Sequence, residues 1–209
     1  MVRVLVADDH PIVRRGLRQI LDEEADLQLV GEAHNSQKIL ELVRQRDCDL
    51  LIMGMAMPGR GGLEVLRQIK QEYPGIRVLI LSMHPEDHYG VRAMKAGASG
   101  YVTKESTPDK LLQALRKIVN GGKYISPALA EKLAFRADGG PQGSFHDLLS
   151  DREFQVLCMI ASGKTISEIA LDLSLSAKTI STYRTRILEK MGMKSSAEIT
   201  HYAIKNQLV

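Results

Sequence analysis

Cysteine, long apolar runs and an excess of either charge are all scarce in this 209-residue chain. Its two cysteines, Cys48 and Cys158, stand in different halves beside apolar runs. That placement suits small buried thiols and argues against a disulfide framework, a cysteine zinc site or a redox role. No apolar stretch reaches the roughly 18 residues a spanning helix needs, and no cationic leader with a cleavage site is present, so a cytoplasmic protein with no membrane partner is expected. The net charge of +3 is too small to indicate nucleic acid by itself, so any such reading has to come from how the charge is distributed. A last absence is a single side chain. The apolar run Asp49-Leu50-Leu51-Ile52-Met53 reads as a buried strand, and the turn Met57-Pro58-Gly59 follows it closely. At that strand's C-terminal edge, where its neighbours lead one to expect a carboxylate, stands Gly54.

The length favours two domains, each able to bury its own core. Through residue 121 short β-branched runs alternate with longer amphipathic ones. Strands are expected at 3–7, 28–32, 50–53, 77–81 and 100–103, and helices at 12–21, 36–46, 62–72, 87–96 and 108–119. Right-handed crossovers make this a doubly wound, parallel (βα)5 sheet with helices on both faces, so functional groups collect beyond the strands' carboxyl ends. Asp8 and Asp9 lie at the first edge, Ser82 at the fourth and Lys104 at the fifth. Adjacent carboxylates bind a hard divalent cation such as Mg²⁺, a lysine pairs with phosphoryl oxygen, and a serine hydroxyl donates to it; together they suit phosphoryl transfer. Taken alone, Asp8-Asp9 would more simply start a turn and cap the helix entered at Pro11; the combination favours a site.

Four segments, Val4-Leu5-Val6-Ala7-Asp8-Asp9-His10, Met57-Pro58-Gly59, Leu79-Ile80-Leu81-Ser82 and Gly100-Tyr101-Val102-Thr103-Lys104, resemble a response-regulator receiver domain covering residues 1 to about 121. The resemblance implies that Asp8 and Asp9 hold Mg²⁺ with the backbone carbonyl of Ala56. It also implies that Ser82 and Tyr101 sense a phosphoryl group, that Lys104 contacts it, and that position 54 is the phospho-acceptor. With Gly54 there, the acceptor is lost, and Mg²⁺ is expected to bind more weakly because one of three oxygen anions is gone. The fold should tolerate the change. Glycine in a strand costs about 0.5–1 kcal/mol, against roughly 1–4 kcal/mol of repulsion for each pair of carboxylates about 4–5 Å apart.

Residues 137–144 are rich in glycine and polar residues, the composition of a flexible connection. The expected organisation is 1–121, a linker at 122–147 with a short helix over 127–135, and an all-α module at 148–209. Ser150-Asp151-Arg152-Glu153 is a capping box opening a helix that ends before Gly163, and further helices are expected at 167–173, 178–191 and 196–206. Four short helices with a tight turn between the second and third form a helix-turn-helix pattern. Between residues 178 and 194 stand Lys178, Arg184, Arg186, Lys190 and Lys194 against Glu189 alone, with Ile180, Ile187 and Met191 as the third helix's buried stripe. A solvated charged face explains most cationic helices, but this one's position after the turn favours a DNA face.

The run 149–157, then Gly163-Lys164-Thr165-Ile166-Ser167-Glu168-Ile169-Ala170, Ser176-Ala177-Lys178-Thr179-Ile180 and Ile187-Leu188-Glu189-Lys190-Met191, resembles the LuxR-type DNA-binding domain. Joined to a receiver, the whole is similar to a NarL/FixJ-type transcriptional regulator. The resemblance implies double-stranded DNA as a partner, a homodimer on it, and a sensor histidine kinase for the acceptor-bearing form. Lys178, Arg184, Arg186 and Lys190 are candidates for phosphates, and Ser181, Thr182 and Thr185 for base edges. The competing readings are a phosphorylation-independent regulator controlled by a partner protein or ligand on the receiver, and a phosphatase-like enzyme using Asp8 or Asp9. A regulator, not an enzyme, is expected.

Overall fold

Five β-branched runs build a wholly parallel sheet. They are β1 (Val2–Ala7), β2 (Leu27–Ala33), β3 (Leu50–Gly54), β4 (Arg77–Ser82) and β5 (Gly100–Thr103), in spatial order β2-β1-β3-β4-β5. The computed structural model describes all residues except 46, 56, 58, 59, 84, 85, 138–144 and 207, and not the side chains of 87, 88, 136 and 137. Between the strands run α1 (Pro11–Asp22), α2 (Ser36–Gln45), α3 (Gly62–Glu72), α4 (Glu86–Lys95) and α5 (Pro108–Val119).

Because the sheet is covered on both faces, its inner strands are continuously apolar rather than alternating, whereas edge strand β2 carries Gln28 and Glu32. Val4, Val6, Leu50, Ile52, Leu79, Leu81 and Val102 meet Leu17 and Leu21 of α1 and Leu111, Ala114, Leu115 and Ile118 of α5. The intervening Leu5, Leu51, Met53 and Ile80 are just as fully buried, and α2, α3 and α4 pack in succession. Cys48 lies in this interior. Its thiol donates to the Leu50 carbonyl at 3.1 Å, and burial pushes its pKa up to about 11, so it is an inert thiol.

The chain divides into two compact units, Met1–Ala134 and Phe135–Val209. Residues 122–134 belong to the first because their backbone completes it. Tyr124 pairs along the outer edge of β5, accepting from Tyr101 N–H at 3.1 Å and donating to the Ser99 carbonyl at 3.0 Å. A further helix, α6 (Pro127–Ala137), then starts at Ser126, whose N–H donates to Glu86 of α4 at 3.1 Å. Leu129 of α6 is buried against Gly90, where a β-carbon would come within 2.8 Å of it.

In the second unit a 3-10 turn (Phe145–Leu148) precedes α7 (Asp151–Ala161), α8 (Ile166–Asp172), α9 (Ala177–Met191) and α10 (Ser196–Lys205). Phe154 is its fully enclosed centre, with Leu157, Ile169, Ile180, Ile187 and Ile199 equally buried. The capping box at Ser150 and Glu153 forms, and a second one at Thr165 and Glu168 opens α8. The turn into α9 passes through Ser174 at φ 53°, a left-handed residue that is not glycine, and α9 ends on Gly192 at φ 65°. Among the described residues no helix is long and apolar enough to cross a membrane.

Candidate functional site

The pairing of β1 with β3 sets Ala7 opposite Met53, so Asp8 and Gly54 leave the sheet side by side. A β-carbon at Gly54 would lie 2.7 Å from Asp8 Oδ2. The Asp8 carboxylate therefore leans over the glycine, into space that any side chain at 54 would claim. Lys104 follows β5, its N–H donating to the Ser82 carbonyl at 2.8 Å, and its ammonium reaches Asp8 Oδ2 at 2.6 Å. Both side chains are enclosed, Asp8 at 1% exposure and Lys104 at 10%. The contact is an ion pair, and beyond it Oδ2 has no hydrogen-bond partner among the described residues.

The other oxygen of Asp8 belongs to a second group. Oδ1 accepts from the His10 backbone N–H at 3.0 Å and lies 3.2 Å from His10 Nδ1, which is 2.7 Å from Asp9 Oδ1. One donor atom from each of Asp8, Asp9 and His10 lies within 4.8 Å of the others. Arg14, one turn into α1, donates to the Asp8 carbonyl at 2.7 Å. Sequence reasoning passed over His10 and Arg14 as contributors. His10 adjoins the acidic pair and was open to discovery as a third donor, whereas Arg14 declares itself only once α1 is folded back. The two carboxylates, with a buried oxygen on each lacking a hydrogen bond, fit a divalent cation. Ala56, whose carbonyl was expected to assist, lies outside the described residues, as do Pro58 and Gly59 of the expected turn.

Ser82 is 2% exposed at the end of β4, and Tyr101 is 3% exposed on β5. Burial raises the Tyr101 phenol above its usual range, and a hydrogen bond with the Ser82 side chain works in the opposite direction. The structure thus brings Asp8, Gly54 and Lys104 together and couples Ser82 to Tyr101.

In the second unit, α9 buries Ile180, Ile187 and Met191 and exposes Lys178, Ser181, Thr182, Thr185 and Arg186. Thr182 and Thr185 donate their hydroxyls to the carbonyls of Lys178 and Ser181 at 3.0 and 3.1 Å, which leaves their lone pairs and methyl groups facing outward. Lys178 and Arg186 have no hydrogen bond or ion pair among the described residues. The remaining expected cations are engaged. Arg184 Nε donates to Ser196 Oγ at 2.7 Å, and Lys190 Nζ meets Glu153 Oε2 at 2.6 Å. Glu153 is 2% exposed and also accepts the Ser150 N–H at 2.8 Å. Burial pushes its carboxyl upward, but the Lys190 and Ser150 hydrogen bonds outweigh that and hold it below its ordinary value.

Comparison with known proteins agrees with both halves. Residues 4–116 match the family described as response regulator receiver domain, and residues 147–203 match bacterial regulatory proteins of the luxR family. The response regulator GacA of Pseudomonas aeruginosa is 39% identical over 210 residues, covering 100% of this chain and 98% of that protein. The response regulator UvrY of Escherichia coli K12 is 35% identical over 209 residues, covering 100% and 96%. Among solved structures, RcsB of Salmonella enterica serovar Typhimurium, bound to promoter rprA in the presence of phosphomimetic BeF3-, aligns with a TM-score of 0.67 at 27% identity, covering 96% and 97%. A structure of two RcsB dimers bound to two parallel DNAs aligns at 0.60 and 27%, covering 96% of each chain.

Proposed function

This chain belongs to the response-regulator family, as a receiver joined to a LuxR-type DNA-binding domain, and from that premise we propose that its receiver cannot be phosphorylated at position 54. Its class is that of a DNA-binding two-component regulator of transcription. One observation carries the finer reading: Gly54, with no nucleophile, stands beside Asp8 where an acceptor carboxylate would meet Lys104. Lys104 pairs with Asp8 instead, so one of the crevice's two carboxylates is offset from within. In an acceptor-bearing form, Lys104 and Ser82 would bind phosphoryl oxygens, Ser82 would relay the change to Tyr101, and a sensor histidine kinase would be the donor. Asp8 and Asp9 would hold Mg²⁺, which supplies positive charge at the phosphoryl group when bound. Here Mg²⁺ binding is weakened, since two carboxylates remain and one of them is already paired.

On DNA, Lys178 and Arg186 are the unpaired cations for phosphates, and Ser181, Thr182 and Thr185 face base edges. Arg184 and Lys190 would have to leave Ser196 and Glu153 to contribute. A homodimer on two half-sites follows the family pattern, with RcsB described as dimers on DNA.

The test is label uptake from a small phosphodonor with Mg²⁺. The chain should take up none at residue 54, and Gly54→Asp should gain an acid-stable, base-labile acyl phosphate. Stoichiometric acyl phosphorylation of the unaltered chain would overturn the reading.

A further inference from the structure

The helix that leads out of the first unit is fastened to it at one end only. Of the described side chains in α6, Leu129 alone is buried. At 11 residues α6 falls below the roughly 12–15 that a helix needs to hold its form alone in water, so its first turn has to be held from outside. Two fastenings bind that turn to α4. Ser126 is the N-terminal cap: its Oγ accepts the Leu129 N–H at 3.1 Å and its carbonyl accepts the Ala130 N–H at 3.0 Å. In a capping box, a Glu or Gln three places on would reach back to the cap's own amide. Leu129 occupies that place, and the Ser126 N–H donates instead to Oε1 of Glu86 at 3.1 Å, so the box is completed by another helix. Gly90, one turn beyond Glu86 on the same face of α4, receives the Leu129 side chain. A β-carbon there would lie 2.8 Å from Leu129 and 2.9 Å from the Glu86 side chain. Glu86 has a further neighbour. Burial is the main cause that raises the Tyr101 phenol, but the Glu86 carboxylate raises it too, so its charge reaches the ring. The Tyr101 backbone in turn donates to the Tyr124 carbonyl at 3.1 Å, two residues before Ser126.

We propose that α6 is a conditional spacer: it stays helical while Glu86 completes the cap at Ser126, and it unwinds when that carboxylate is drawn to the Tyr101 phenol. As a helix its 11 residues span about 16 Å, whereas the same residues as extended chain reach about 36 Å. The connection between the receiver and the DNA-binding unit therefore has two lengths, and α4 selects between them. The longer, flexible form lets the DNA-binding unit range further from its receiver. With alanine at 128, 130, 134 and 137, the segment favours helix intrinsically, so one cap is enough to tip the balance. Gly54 takes no part in these contacts, and the inference stands whether or not the receiver can be phosphorylated.

The test is amide hydrogen exchange on the full chain, read by mass spectrometry over residues 127–135. Loss of a helix cap commonly shifts the opening equilibrium about fivefold, so Glu86→Ala should speed exchange there by about that factor and leave β1 and β3 unchanged. Glu86→Gln keeps an oxygen acceptor and should stay closer to the unaltered chain. Glu86 is half-buried, so its substitution spares the core, and Leu129→Ala, which removes the other fastening, should speed the same amides by itself. Ser82→Ala takes from Tyr101 its hydrogen bond with that side chain, and the phenol then competes for Glu86. Exchange in α6 should therefore rise in Ser82→Ala, and should not rise further when Ser82→Ala is added to Glu86→Ala. Unchanged α6 exchange in Glu86→Ala, or a loss of protection that extends to β1 and β3, would overturn the cap from α4. An equal rise from Ser82→Ala with and without Glu86 would overturn the link to Tyr101.

Discussion

Each unit of this protein holds a lysine 2.6 Å from a buried carboxylate, Lys104 on Asp8 in the first and Lys190 on Glu153 in the second. The two pairs differ in how enclosed the lysine is and in what else the paired oxygen accepts. Glu153 is built into a helix start, where it takes the Ser150 N–H and returns a cap with the Ser150 hydroxyl, and its lysine is 41% exposed. Asp8 has an oxygen, Oδ2, whose one close partner among the described residues is Lys104, itself 10% exposed, and it leans into space left open by a glycine. A carboxylate satisfied by its own backbone can lose its lysine and remain in place. Asp8 keeps the His10 amide on Oδ1, but its Oδ2 has no hydrogen bond among the described residues, so losing the enclosed ammonium strands that oxygen.

Breaking the receiver pair should therefore have the larger effect. Lys104→Ala should cost about 3–5 kcal/mol of stability in the absence of divalent cations, the usual cost of stranding a buried charge, and added Mg²⁺ should recover part of it. Urea unfolding with and without cation measures both. A loss under about 1 kcal/mol would show that Asp8 finds another partner.

Lys190→Ala should cost less, about 1–2 kcal/mol, because Glu153 keeps the Ser150 amide and water can replace a half-exposed ammonium. Its effect on DNA binding sharpens the contrast within α9. Arg186→Ala should lower the salt slope of log affinity by about 0.9 per half-site, and Lys190→Ala by clearly less, since its charge is already paired. Equal slopes would mean that Lys190 leaves Glu153 when DNA arrives.

The smallest effect concerns acid. Glu153 is held below its ordinary value of 4.5, so it contributes stability that is complete above that pH and is lost as pH falls through the lower, folded value. Between those limits the unaltered chain should lose more stability on acidification than Lys190→Ala, in which the largest lowering influence is gone. Parallel pH dependences in urea unfolding would assign the depression to Ser150 instead.

Much of this could be read along the chain because it is written in local patterns. The strand runs, the Ser150 capping box and the stripe of Ile180, Ile187 and Met191 all express short-range rules of period and capping. Each strand and helix expected in the first 121 residues is present, with every end within one residue of its expected place. The position of Gly54 was legible for the same reason. The partners of the charges were not. Lys104 and Asp8 are 96 positions apart and Lys190 and Glu153 are 37 apart, so which of several cations meets which acid is decided by packing. Arg184 and Lys190 looked like free phosphate ligands because their sequence neighbours cannot reveal Ser196 or Glu153. Ser174 likewise has no glycine to announce its left-handed backbone, and the 3-10 turn at Phe145–Leu148 has no period long enough to detect.

The strip of backbone at Tyr124 bears on how the first unit can be cut from the chain. A fragment ended at Gly121, where the periodic pattern stops, would strip β5 of the carbonyl that receives Tyr101 N–H and of the amide that reaches Ser99. It would present a bare edge strand, a template for pairing with other chains and hence for aggregation. Carried past Leu129, the same fragment keeps its edge covered and Leu129 seated against α4. The solubility of this half thus depends on about a dozen residues that add nothing to its crevice, and a deletion meant to isolate the switch would create a sticky surface instead.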